Sequence, residues 1–232
     1  MNPKREFHRR AESYDTYNQI QREVAKALVR GIYGTPRRIL DLGCGSGQVS
    51  REITWAYEQL TAVDFAPGMC ALFPKLPNSH VLNLDFNDPE TFVILERQRP
   101  FDLILAGSAL QWAHDLSFVL EKLKGMGRQM ALGIFTAGTF QTLHETAGIQ
   151  SPIRTADEVV ETLHKVFGDP KIELRHFRLG FSDRQTMFHY IKQSGVSGGE
   201  RRLGYQETRA LYRNYPLDYL EYEVIVCRWV KD

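Results

Sequence analysis

The chain has 232 residues, 43% apolar, 25% charged and 11% aromatic, the balance of a chain that buries a core rather than of a disordered segment. Its 29 Lys and Arg stand against 28 Asp and Glu, and a net charge of +1 argues against a protein whose main work is neutralising duplex phosphates. Cys44, Cys70 and Cys227 lie far apart, with no CxxC pair and no His at metal-ligand spacing, which argues against a disulfide framework or zinc site and fits a reducing cytoplasm.

The basic start, Met1–Glu6, has no apolar stretch behind it, and no later segment reaches the ~20 apolar residues of a membrane span, so neither secretion nor a membrane partner is expected. Apolar residues at Ile20, Val24, Ala27, Leu28 and Ile32 predict a helix over 20–32, preceded by the aromatic-rich Tyr14–Tyr17. Together they read as N-terminal lid helices over residues 1–35. Arg38–Leu42, Leu60–Asp64, Phe101–Ala106 and Met130–Phe135 are short apolar runs of the kind buried on both faces of a parallel sheet. Helical stretches over 48–56, 67–73, 89–97 and 116–123 alternate with them. Right-handed crossovers then give an α/β, Rossmann-like, doubly wound core over 36–136.

Past this core, Thr155 with Glu158 predicts a capped helix over 155–167, followed by a strand over 171–179 and a helix over 184–193. Ser194–Gly199 reads as a flexible break. The alternation over 217–230 predicts an antiparallel C-terminal edge strand. Residues 137–232 thus supply substrate-side helices and edge strands to a single domain spanning 1–232.

Asp41-Leu-Gly43-Cys44-Gly45-Ser-Gly47 follows the first core strand. Alternate glycines let the backbone turn sharply and let a ligand approach it closely. A dinucleotide fingerprint would space its third Gly differently, and a carboxylate two residues before the first Gly repels pyrophosphate while suiting a ligand with a cationic amino group. A second acid, Asp64, ends the next strand 23 residues after Asp41, close to the roughly 20-residue interval at which such folds place an acid on ribose hydroxyls. Phe65 and Met69 follow it, and Asp85 and Phe86 end a third strand.

The loop resembles motif I of class I S-adenosylmethionine-dependent methyltransferases, (Asp/Glu)-x-Gly-x-Gly-x-Gly, at all four defining positions. Over most of the chain, Phe7…Tyr14-Asp15, Ile20–Ala25, Ser108–Trp112, Phe135–Phe140, Phe181–Asp183, Ile191–Val196 and Tyr215–Tyr219 are similar to the malonyl-acyl-carrier-protein O-methyltransferases of biotin biosynthesis. The resemblance implies a seven-stranded, mostly parallel sheet and S-adenosyl-L-methionine as cofactor, with S-adenosyl-L-homocysteine as product. It implies cofactor contacts from Asp41, Gly43, Cys44, Gly45, Gly47, Asp64, Phe65, Met69, Asp85, Phe86 and Ser108. Gln111 and Trp112 would form the wall beside the methyl group, and Tyr14 and Tyr17 the lid. The substrate would be malonyl on acyl carrier protein or on coenzyme A. No nucleic acid is expected, since no Asn-Pro-Pro-Tyr-type motif follows the fourth strand, and no metal. A small-molecule carboxyl or other O/C-methyltransferase, and a non-catalytic binder of the same cofactor, stay open at this point.

Residues 171–215 hold nine Lys and Arg (Lys171, Arg175, Arg178, Arg184, Lys192, Arg201, Arg202, Arg209, Arg213) against four acids (Glu173, Asp183, Glu200, Glu207), a local net of +5. This asymmetry predicts docking of an acidic macromolecule such as a carrier protein.

Overall fold

The computed structural model describes residues 18–194 and 204–231. Its elements in chain order are α1 (Gln19–Arg30), β1 (Arg38–Leu42), β2 (Gln59–Asp64), α2 (Pro67–Leu72), β3 (Ser79–Asn83), α3 (Pro89–Glu96), β4 (Phe101–Gly107), α4 (Leu116–Met126), β5 (Gly127–Phe135), α5 (Gln141–Ala147), α6 (Ala156–Phe167), β6 (Lys171–Gly180), α7 (Arg184–Ser194), α8 (Tyr205–Asn214) and β7 (Tyr219–Val230). The seven strands form one sheet in the order β3-β2-β1-β4-β5-β7-β6. Neighbours from β3 through β5 are parallel, and β7 runs antiparallel to both β5 and β6.

The apolar runs form the middle of the sheet because helices cover both of its faces. Leu40 and Leu42 of β1, and Met130, Leu132 and Ile134 of β5, pack with Phe92, Leu120 and Leu163 from α3, α4 and α6. The alternate residues Ile39 and Ala131 pack with Val24, Leu28, Met187 and Leu211 from α1, α7 and α8. A strand with such neighbours on both sides is mostly apolar at successive positions, which is why the period-2 signal disappears from these segments; the buried polar exceptions include Asp41 of β1 and Thr61 of β2.

Helix α1 occupies the predicted stripe, with Ile20, Val24, Ala25, Ala27 and Leu28 buried. It lies close to the sheet because Gly133 of β5 has no side chain: a Cβ there would stand 2.6 Å from Val24 Cγ1. Residues 1–17, including Tyr14 and Tyr17 of the expected lid, lie outside the described residues. So do 195–203, and with them most of the expected flexible break and Arg201 and Arg202.

Two expected elements take a different form. The helix over 48–56 is only a 3-10 turn, Ser50–Glu52. Gly47 enters it with φ +83°, and Ile53 leaves it extended at ψ 113°, so the Cβ-branched pair Ile53-Thr54 is not held in helical geometry. The C-terminal strand is antiparallel as expected, yet it lies one place inside the edge, which β6 occupies. The physical reason is burial: Val224–Cys227 is covered on both faces, whereas β6 alternates exposed and half-buried residues and carries Lys171, His176 and Arg178 outward. Among the described residues no helix is long and apolar enough to cross a membrane.

Candidate functional site

The order in which successive strands are added to the sheet reverses between the parallel neighbours β1 and β4, and a cleft opens there at the carboxyl ends of the strands, where open α/β sheets bind ligands. The loop after β1 forms its floor. Gly43 N and Cys44 N both donate to Val63 O (2.7 and 2.9 Å), and Gly47 N donates to Cys44 O (2.8 Å), so the loop is pinned to β2 and closed on itself. Gly43 and Gly45 have φ +72° and +52°, a region costly for residues with a Cβ. They differ in surroundings: a Cβ on Gly43 would stand 2.2 Å from that of Ala109, whereas one on Gly45 would meet nothing within 4 Å. The bare backbone at Gly45 therefore leaves room beside the loop for a ligand.

Asp64 stands at the end of β2, 7% exposed. Its carboxylate accepts from Gly45 N and Ala66 N, both at 2.9 Å, which fixes it against the loop and leaves further lone pairs for hydroxyl donors. Burial pushes its pKa up, and the neighbouring charge of Asp85 adds to the shift. Phe65, Met69, Phe86 and Trp112 give the cleft an apolar lining. Asn87 ties the two loops that bear Phe86 and Trp112: its Nδ2 donates to Trp112 O (3.3 Å), and its Oδ1 accepts from His114 N (2.8 Å). Ser108 takes left-handed φ +63°, rare outside glycine and a conformation that clusters at functional sites.

Gly43, Cys44, Gly45, Asp64, Phe65, Met69, Phe86, Ser108 and Trp112 border this one cleft. Four other expected residues do not. Asp41 is fully buried beneath the loop, where its Oδ2 accepts from Ser50 Oγ at 2.6 Å. Gly47 packs against Pro74 and Phe73. Asp85 is engaged in a local turn, accepting from Asn87 N at 3.0 Å. Gln111 folds back to donate from Nε2 to Ser108 O (2.8 Å). Gln21, Ser46, Gln48, Val49, Gly107 and Ala109 border the cleft although the sequence reading did not single them out. Ser46, Gln48 and Val49 lie inside or just after the glycine motif; Gln21 lies in the Ile20–Ala25 segment that carries the resemblance, but its place on the polar side of a helical stripe assigned it no role.

Three buried polar atoms near the cleft have no hydrogen-bond partner among the described residues: Gln21 Oε1, Ser108 Oγ and Gln111 Oε1. Unpaired buried acceptors are costly, and their clustering marks a surface built to be completed by a ligand. Cys44 also borders the cleft, but burial pushes its thiol pKa well above the ordinary value, so it stays protonated and unreactive.

Residues 40–129 match the methyltransferase-domain family. Sheet order, glycine loop and this match together resemble the class I S-adenosylmethionine-dependent methyltransferases. More particularly, the chain resembles the malonyl-[acyl-carrier protein] O-methyltransferases. It is 28% identical to that of Halorhodospira halophila over 216 residues, covering 85% of this chain and 72% of the relative. It is 25% identical to that of Bacillus cereus over 249 aligned positions, covering 96% and 91%. In fold it is similar to the plantazolicin methyltransferase BpumL, solved with a triazolic desmethylPZN analog and SAH, with a TM-score of 0.54 and 17% identity over 95% of this chain and 90% of that one.

Proposed function

We propose that this chain, as one catalytic domain in the cytoplasm, methylates the free carboxylate of malonyl-acyl carrier protein with S-adenosyl-L-methionine, as in biotin biosynthesis. The acceptor is supported by the named relatives, which align over most of the chain. The cofactor is supported by one observation above all: the open backbone at Gly45, the acid Asp64 and the apolar wall of Phe86 and Trp112 converge on one cleft.

When bound, the cofactor supplies an electrophilic methyl group on a sulfonium centre. Asp64 accepts from the ribose hydroxyls, and Phe65, Met69 and Phe86 enclose the planar base. The malonyl carboxylate is ionised at pH 7, so the chain needs no general base. Its residues act by alignment and by exclusion of water: Trp112, with Gln111 beside it in the chain, bounds the space beside the reacting methyl, and the role of lid is assigned to Tyr14 and Tyr17 on the sequence resemblance alone. The protonated Cys44 thiol does not compete for the methyl group.

The test is incubation with S-adenosylmethionine and malonyl-acyl carrier protein, followed by intact-mass measurement of the carrier. A gain of one methylene unit on the carrier is expected. Transfer to malonyl-coenzyme A alone would assign the free thioester as acceptor, and no transfer to either would overturn the proposal.

A further inference from the structure

We propose that Gln21 of α1 reads the amino-acid end of the cofactor, its side-chain oxygen accepting from the α-ammonium group; the inference rests on the cofactor reading above. Gln21 Oε1 is shut off from solvent and has no partner among the described residues, yet the side chain borders the same cleft as Gly43, Gly45 and Ser108. A buried amide oxygen left unpaired is unfavourable, so its environment calls for a donor that the protein does not provide.

The donor's chemistry follows from what else faces it. The carboxylate that the motif would offer to an ammonium group, Asp41, lies under the loop and is committed to Ser50. Asp64 belongs to the β2 side of the cleft. Toward β4 and α1 the unpaired acceptors are neutral, Gln21 Oε1 and Ser108 Oγ. A neutral amide suits a zwitterion, because its oxygen takes the ammonium group while its NH2 can donate to the adjoining carboxylate, which an acidic side chain would repel. Position is supplied by packing: Val24 and Leu28, one and two turns along α1, lie against Gly133 of β5 and hold the helix in place.

Calorimetric titration with two ligands isolates this contact. S-adenosyl-L-homocysteine carries the amino-acid group; 5′-methylthioadenosine has the same adenosine and a thioether but lacks it. Gln21→Met, which keeps the length of the side chain, should weaken homocysteine-ligand binding by about tenfold or more while changing methylthioadenosine binding by less than about twofold. Gln21→Ala should show the same split, and circular-dichroism melting checks that each variant is folded. Equal weakening of both ligands, or no weakening of either, would overturn the role of Gln21. Failure of the parent protein to bind either ligand would instead overturn the cofactor reading, and this inference with it.

Discussion

Asp41 and Asp64 sit on neighbouring strands and do different work. Asp64 meets the cleft, and its replacement tests the ribose contact: each hydrogen bond to a charged acceptor contributes about 1.5–3 kcal/mol, so Asp64→Ala should weaken S-adenosylmethionine binding by more than about tenfold in a folded protein, read by calorimetry. Asp41 is sealed beneath the loop, and burial raises its pKa from 3.8 to about 7. Its folded state therefore holds a proton that the unfolded chain releases, and the stability gained from it is present at about pH 4 and lost as the pH rises through about 7. Asp41→Asn removes that loss. The difference in melting temperature between Asp41→Asn and the parent should shift in the variant's favour from about pH 5 to about pH 8, and a constant difference would show that Asp41 titrates normally. The sequence marks both acids by position relative to the glycines, but it does not say which one faces the ligand. That depends on Ser50 standing within reach of Asp41, a contact made by a turn where a helix was expected.

At the scale of elements, the contact of α1 with the sheet depends on a missing side chain. A Cβ at Gly133 would collide with Val24 Cγ1, and both backbone segments are held by other packing, so Gly133→Ala should destabilise the fold by about 1–3 kcal/mol, measured by urea denaturation. An unchanged midpoint would mean that the helix shifts freely. The interior strands and α1 are legible in the sequence because burial writes a pattern into them. The cap of α6 is legible too: Thr155 accepts from Glu158 N, and Glu158 returns the bond to the cap backbone, as the Thr-x-x-Glu spacing predicts. By contrast, α5 is seven residues long and begins after Phe140 in left-handed geometry, too short to show a periodic stripe. Helix α8 buries only Leu211 and leaves almost no apolar signal. The side occupied by β7 is unreadable for another reason: alternation reports that a strand is half covered, not which strand lies beside it.

For the whole molecule, charge distribution bears on the proposed partner. Part of the basic C-terminal region is engaged locally: Arg175 forms an ion pair with Glu173 at 2.6 Å, while Arg184 keeps its charge and donates from Nη1 to the carbonyls of Tyr212 and Arg213. Arg178 lies over the ring of Tyr219, with its charge at the sheet edge. Docking of an acidic carrier through this region predicts that added salt raises the Michaelis constant for malonyl-acyl carrier protein more than that for malonyl-coenzyme A. The same split is expected of Arg201→Glu combined with Arg202→Glu. Carrier kinetics insensitive to both would place docking elsewhere.

The position of β7 also has a consequence for synthesis. Among the described residues β7 is the sole sheet neighbour of β6, and it covers the outer edge of β5. A ribosome emits β6 first, and at about 5–20 residues per second the stretch from Gly180 to Tyr219 takes on the order of 2–8 seconds to follow. Throughout that interval the nascent chain carries β5 with an open edge and β6 with no partner at all, both competent to pair with another polypeptide. The parallel half of the sheet can assemble while translation continues, whereas the antiparallel half can close only after residues 219–230 have cleared the exit tunnel.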